Sequence, residues 1–182
     1  TGVQTCALPI SPLAVAFSPD GRVVATASGD ASARLWDART CRFIAVLSGH
    51  KRTVRAVRFS DDGALLLTVS NDATARIWNA RTGELARTLL GHADRIRMGA
   101  FSPDGQLAVY GVQRYEVAAN KGSRALFTVN LSTGETRRLT DFEKTSGDAE
   151  FHPGGQKLGF LMDGNLYEVA LNGLAAPTKV SD

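Results

Sequence analysis

Short apolar runs alternate with turn-forming residues along most of this chain. The clearest runs are 54–59, 64–70, 74–79 and 85–90, separated by Asp-Asp-Gly, Asn-Asp-Ala and Arg-Thr-Gly-Glu. These separators favour tight turns between strands. A continuous run such as ALLLTV suits a strand that is buried on both faces. The pattern therefore predicts groups of four short antiparallel strands.

Sequence markers recur with a period of 42 residues. They are the FSPDG-type segments anchored on Phe17, Phe59 and Phe101, the segments ARLWDART and ARIWNART around Trp36 and Trp78, and the dipeptides Gly49-His50 and Gly91-His92. A weaker fourth copy, EFHPGG, contains Phe151, which follows Phe101 after 50 residues. Four strands in each repeat of this length are the signature of propeller blades.

The expected fold is all-β, a partial β-propeller at 11–182 with four blades of four antiparallel strands each. The approximate blade boundaries are 11–50, 51–92, 93–140 and 141–182. We expect these blades to form an open arc of a seven- or eight-bladed propeller, because blade geometry sets the angle between neighbours.

The first ten residues, TGVQTCALPI, match codon for codon one frame of a common sequencing adapter. We therefore expect 1–10 to be an artefactual segment outside the fold, with the true N-terminus further upstream. On this interpretation Cys6 is uninformative. With only Cys41 besides, the chain has no disulfide framework and suits a reducing compartment.

The succession of Gly-His, FSPDG, a Ser/Thr-x-x-x-Asp run and Trp-Asp resembles the WD repeat (WD40-type). The resemblance is good over 11–92 and weaker to 140. In that family a hydrogen-bonded tetrad of His, Ser/Thr, Asp and Trp ties each blade together. Carried over, it implies a structural tetrad of His50, Thr68, Asp72 and Trp78 in the second repeat. A buried indole N–H and imidazole need such partners.

The other repeats keep less of this tetrad. The first has a partial set, Thr26, Asp30 and Trp36, and its His position falls where the adapter-like segment begins. The third has His92, but Val129 occupies the Trp position. From residue 136 onward the sequence looks more like the repeat of TolB-like propellers, which lack the tetrad.

The third repeat contains an insertion between its second and third strands. Phe101 and Val129 are 28 residues apart, whereas the matching Phe and Trp residues of the first two repeats are 19 apart. The nine extra residues lie around QRYEVAANKGS at 113–123. In the WD family this connection opens onto the face that carries most partner contacts. The candidate partner-binding residues are Lys51, Arg52, Arg95, Arg114, Tyr115, Glu116 and Lys121. Tyr and Arg are enriched in binding hot spots.

Arg55 and Arg58 lie on an inner strand, and the sequence leaves two alternatives for them: they either line a channel or pair locally.

Other kinds of function are disfavoured. A net charge of +3 is too small to imply nucleic acid, and no apolar run is long enough for membrane insertion. We expect no metal site, because the histidines lack ligand-spaced partners, and no cofactor. His50, Asp72 and Thr68 imitate a hydrolytic triad, but no nucleophile elbow accompanies them.

The sequence thus predicts a non-catalytic scaffold for protein–protein interaction, the recognition module of a larger bacterial protein, with a protein or peptide partner. Two alternatives remain open. The propeller belongs to an enzyme, a serine peptidase or a protein kinase, whose catalytic domain lies elsewhere, or it is a periplasmic TolB-like component. We expect a cytoplasmic location, with the periplasm as the alternative.

Overall fold

The regular structure is entirely β-strand in the part of the chain that the computed structural model describes, residues 12–90, 94–116, 118, 121–142, 146–171 and 176–180. The strands form four sheets of four, each antiparallel and each in chain order. The predicted all-β class with four four-stranded blades is therefore confirmed. The adapter-like segment 1–10 lies outside the described residues.

Each blade is one sheet, numbered I to IV along the chain. Blade I contains β1 (Pro12–Phe17), β2 (Val23–Ser28), β3 (Ala33–Asp37) and β4 (Phe43–Leu47). Blade II contains β5 (Val54–Phe59), β6 (Leu65–Ser70), β7 (Ala75–Asn79) and β8 (Leu85–Leu89). Blade III contains β9 (Arg95–Phe101), β10 (Leu107–Glu116), β11 (Lys121–Asn130) and β12 (Thr136–Arg138). Blade IV contains β13 (Ser146–Phe151), β14 (Lys157–Met162), β15 (Asn165–Ala170) and β16 (Thr178–Lys179).

One strand register is common to all four blades. The Phe that ends each first strand pairs with an apolar residue on the second strand, which pairs in turn with the position that holds Trp in blades I and II. The four sets are Phe17–Val24–Trp36, Phe59–Leu66–Trp78, Phe101–Ala108–Val129 and Phe151–Leu158–Val169. The insertion in blade III thus leaves the register intact, and Val129 occupies the Trp position.

The hydrophobic core lies between blades, in three clusters. The first joins blade I to blade II and buries Leu35 and Trp78. The second joins blade II to blade III and contains Leu67 and Tyr110. The third joins blade III to blade IV around Phe160. Each sheet is therefore stabilised by its neighbours, as expected for stacked repeats.

Chain direction gives the blades two distinct ends. The turns between second and third strands and the loops between blades lie at one end, which we call the hairpin end. The turns of Ser-Pro-Asp-Gly type and those between third and fourth strands lie at the opposite end. Candidate partner-binding residues from different blades therefore share the hairpin end.

The outer face of blade I is apolar and exposed. Val15 and Phe17 alternate along β1 with Ala14 and Ala16, which pack toward blade II. Phe17 is 65% exposed, whereas its counterpart Phe59 packs against the cluster between blades I and II. The arc interpretation predicts such a face, and the number of blades in the full ring stays a prediction.

The outer face of blade IV combines polar groups with two partly exposed leucines, Leu161 and Leu166. Gly159 pairs with Glu168 at the register where blade II pairs Leu67 with Ile77. The Glu168 carboxylate also accepts a hydrogen bond from Lys157 at 2.8 Å. The two outer faces are therefore chemically different.

Candidate functional site

The four predicted tetrad residues of blade II form one hydrogen-bonded chain. Trp78 on β7 donates from Nε1 to the Thr68 hydroxyl on β6 at 2.8 Å. That hydroxyl lies 2.8 Å from Nε2 of His50, in the loop before β5. Nδ1 of His50 lies 3.0 Å from the carboxylate of Asp72, in the β6–β7 turn. The chain links the β6–β7 hairpin of the blade to the loop that enters it.

The hydrogen-bond roles follow from this order. Because the Thr68 oxygen accepts from Trp78, its own proton is available for Nε2 of His50. His50 then carries its proton on Nδ1 and donates it to Asp72. Burial lowers the pKa of His50 and outweighs the opposing effect of Asp72. The folded protein therefore favours a neutral imidazole.

Asp72 also stabilises the loop before β5 through hydrogen bonds. Its carboxylate accepts from the Lys51 backbone amide at 2.8 Å and from the Thr74 hydroxyl at 2.7 Å. Partial burial raises the pKa of Asp72, but the hydrogen bonds from Lys51, Thr74 and His50 outweigh it and lower the pKa to about 2. Asp72 is therefore ionised at neutral pH.

These residues cannot reach a substrate as a hydrolytic triad would. Thr68 is fully buried and His50 is 7% exposed, and the Thr68 hydroxyl is already engaged by Trp78 and His50. A nucleophile must contact the reacting carbonyl. The arrangement in blade II ties strands together.

Blade I contains part of the same chain. Trp36 donates from Nε1 to the Thr26 hydroxyl at 3.1 Å. Asp30 instead accepts from Ser32 at 2.6 Å and pairs with Arg34 at 2.9 Å. Burial raises the pKa of Asp30, but the hydrogen bonds from Ser32 and Arg34 outweigh it and hold the pKa well below its usual range.

Blades III and IV place aromatic pairs where blade II has its tetrad. Tyr110 holds the register position of Thr68, and its ring stacks on Phe127 with centroids 5.8 Å apart. Phe160 and Tyr167 repeat the arrangement in blade IV at 6.1 Å. Burial raises the pKa of Tyr110 to about 12, opposed by a hydrogen bond with Thr136. His92, expected to serve blade III, lies outside the described residues.

The structure brings three of the predicted partner-binding residues into one cavity at the hairpin end. Lys51, Arg52 and Arg95 line a cavity of about 460 Å³ together with Asp30 and Asn71. Lys51 and Arg52 precede blade II, whereas Arg95 opens blade III. The cavity therefore spans neighbouring blades and is mainly basic.

The insertion in blade III lengthens the hairpin between its second and third strands. β10 and β11 have ten residues each and remain paired out to Glu116 and Lys121. Continued pairing satisfies backbone groups that an irregular loop would leave to water. The Lys121 side chain lies outside the described residues.

Two residues that the sequence analysis did not identify hold this hairpin at its base. The Arg114 guanidinium lies 3.5 Å from the Asp94 carboxylate and 4.5 Å from the centre of the Phe142 ring. Arg114 is thus partly committed to the fold. Tyr115 (56% exposed) and the exposed Glu116 remain accessible. No repeat spacing connects these partners, because Phe142 belongs to the connection into blade IV.

Cys41, in the turn before β4, is disulfide-bonded. The cysteine content therefore gives no support for a reducing compartment.

Stacked four-stranded blades with an interrupted polar tetrad define the class as a β-propeller repeat protein. Residues 9–37 and 41–79 match the WD40 family, described as WD domain, G-beta repeat, and these segments are WD40 repeats. The first match begins at residue 9, inside the adapter-like segment. WD40 propellers typically serve as non-catalytic modules that bind other proteins.

Among the described residues, no three His, Cys, Asp or Glu side chains are grouped as metal ligands would be. In that same part of the chain, no helix has the length and apolar character needed to cross a membrane.

Proposed function

We propose that this chain is a protein-interaction scaffold that binds a protein or peptide at its hairpin end. The observation that carries the proposal is the long β10–β11 hairpin, which rises at the same end as the basic cavity of Lys51, Arg52 and Arg95. A rigid strand pair beside a cavity supplies a preorganised surface, which lowers the entropic cost of binding.

The chemistry of this end suits a partner with an apolar anchor and acidic neighbours. Tyr115 presents an exposed ring near the tip of the hairpin. Aromatic side chains contribute much of the binding energy at interface centres, and charged groups at the rim mainly steer association. Lys51, Arg52 and Arg95 provide such a basic rim.

The test shortens the hairpin without disturbing the sheet. Replacing 114–123 by Asn-Gly leaves the pair Gln113–Arg124 to close a two-residue turn of a type that favours hairpins. The wild-type chain and this variant are used as bait in a lysate of the source organism, with cross-linking and quantitative mass spectrometry. We expect partners to be lost with the short hairpin and with Tyr115→Ala.

The matched control is Leu85→Ala, which removes a similarly exposed apolar side chain (46%) near the opposite end. It should leave recovery unchanged. Thermal unfolding of every variant checks that the blades remain folded. Equal partner recovery by the wild-type and short-hairpin proteins would contradict the proposal.

A further inference from the structure

The first strand of every blade contains a β-bulge, four residues before its last Phe in blades I to III and three residues before it in blade IV. The bulged residues, each skipped by the pairing register, are Leu13, Arg55, Arg97 and Asp148. A bulge leaves one residue unpaired and re-aims its side chain, and bulges are common beside functional sites. Because the first strands of successive blades pack against one another, their bulged residues are brought to a common inner surface.

Three of these residues line one inner cavity of about 700 Å³. Arg55 and Arg97 come from blades II and III, and Asp148 comes from blade IV. Arg58 and Glu150 line the same cavity. The wall from blades II and III is therefore basic, and the wall from blade IV is acidic. Arg55 and Arg58 thus line the cavity and also pair locally, Arg55 with the Asn71 side-chain oxygen at 3.3 Å and Arg58 with the Val57 carbonyl at 2.9 Å.

The guanidinium of Arg97 is crowded by like charges. Burial lowers its pKa, and Arg55, Arg95 and Arg124 lower it further. The ion pairs among the described residues include none of Arg55, Arg97 and Arg124. Arg55 donates to a neutral acceptor, the Asn71 side-chain oxygen, at 3.3 Å. The charges that act on Arg97 are therefore those of other arginines, whereas the carboxylates of Asp148 and Glu150 lie on the facing wall of the cavity.

Two N–H groups of this cluster are buried without an acceptor. They are Nε of Arg97 and Nε of Arg124, which find no hydrogen-bond partner in the described part of the chain. Glycines make room for Arg124: a Cβ at Gly147 would lie 3.4 Å from Nη1, and one at Gly111 would lie 3.0 Å from Cδ. Buried donors of this kind are rare in folded proteins and require an explanation.

We propose that Arg55 and Arg97, which line the inner cavity, form a binding site for a single oxyanion group, a phosphate or a carboxylate. Guanidinium groups bind both anions through paired N–H donors, and an anion would offset the mutual repulsion of the arginines. Asp148 and Glu150 on the facing wall disfavour an extended polyanion. Arg55 and Arg97 lie outside the β10–β11 hairpin, so either proposal can fail alone.

Isothermal titration with inorganic phosphate, at an ionic strength held constant with sodium chloride, tests the site. We expect the wild-type chain to bind phosphate and Arg97→Gln to bind it about tenfold more weakly or worse, as the loss of a charged hydrogen bond implies. The matched control is Arg81→Gln, which removes an exposed arginine at the opposite end and should leave the affinity unchanged.

Three otherwise identical peptides identify the source of the anion. They carry one phosphoserine, one glutamate or one serine. Binding of the first or second, and not of the third, supports a site for a partner's acidic side chain. Binding of phosphate alone supports a site for the free anion. Equal binding of all three peptides, or of none when phosphate also fails to bind, overturns the proposal.

Thermal unfolding provides a readout that a merely structural arginine would not give. Without phosphate, Arg97→Gln should melt at a higher temperature than the wild type, because the substitution relieves like-charge repulsion. With phosphate, only the wild type and Arg81→Gln should gain stability. A lower melting temperature for Arg97→Gln together with unchanged phosphate binding contradicts the proposal. If Arg97→Gln fails to fold, Arg55→Gln provides the same comparison.

Discussion

Blades II and III share one strand register but have different side chains at its corresponding positions. At the position where blade II places Thr68 under Trp78, blade III places Tyr110 over Phe127 and has Val129 in the Trp position. The first arrangement is a chain of directional hydrogen bonds. The second is a buried aromatic stack with one polar tip. The same backbone geometry therefore supports two different ways of joining the second and third strands of a blade.

The difference has energetic consequences. A hydrogen-bonded network contributes little net free energy of folding per bond. Removal of one member is destabilising, however, because it leaves buried donors or acceptors without partners. An aromatic stack contributes mainly through buried area and packing. Blade II should therefore respond to single polar changes and to protonation, whereas blade III should respond to loss of volume.

The largest expected effect is that of Tyr110→Ala. Tyr110 is fully buried in the cluster between blades II and III, so truncation should reduce the free energy of unfolding by about 3–5 kcal/mol. Urea denaturation measures this. Phe17→Ala, at a 65% exposed aromatic residue, is the control and should cost about 0.5 kcal/mol or less. Similar losses for both would show that the stack does not stabilise blade III.

Asp72→Ala should have the next largest effect. It leaves the Lys51 amide and His50 without their acceptor, which should cost about 1–3 kcal/mol in urea denaturation. Asp61→Ala, an exposed change in the turn at the opposite end, should cost about 0.5 kcal/mol or less. Equal effects of the two substitutions would mean that the tetrad contributes nothing beyond an ordinary turn.

The repeat made much of this comparison predictable. Because the repeats share one period, Phe59 pairs with Leu66 as Phe17 pairs with Val24. The tetrad residues of blade II are those that the WD resemblance implies. The assignment of Val129 to the Trp position was also predictable once the nine inserted residues were allowed for. A hairpin insertion adds residues to both strands and leaves their pairing unchanged.

The aromatic stacks and the bulges could not be predicted in the same way. Stacking of Tyr110 on Phe127 depends on which residues of a lengthened hairpin face each other, and the apolar pattern there fits several registers. A bulge adds one residue to a strand without a mark in the sequence. Arg97 stands between Ile96 and Met98, so it looks like the polar position of a strand in which polar and apolar residues alternate. The cavity that Arg55 and Arg97 share arises only when blades pack.

The smallest expected effect is a pH dependence confined to the tetrad. Burial lowers the pKa of His50 below its ordinary value of 6.5 in the folded state, so the unfolded chain binds more protons near that pH. Stability contributed by neutral His50 is therefore full above about pH 6.5 and is lost as the pH falls toward the folded pKa. Asp72, with a pKa of about 2, stays ionised throughout this window and does not contribute.

Trp fluorescence isolates this effect, because Trp36 and Trp78 are the two tryptophans of the chain. In a Trp36→Phe background, Trp78 alone reports on blade II. Urea midpoints are compared at about pH 7.5 and about pH 5.5, a range in which an ordinary histidine titrates. The midpoint should fall at the lower pH, and it should fall less when His50→Gln removes the titrating group. If the His50→Gln protein loses as much stability as its parent, the pH dependence arises outside the tetrad, and the neutral imidazole has no part in it.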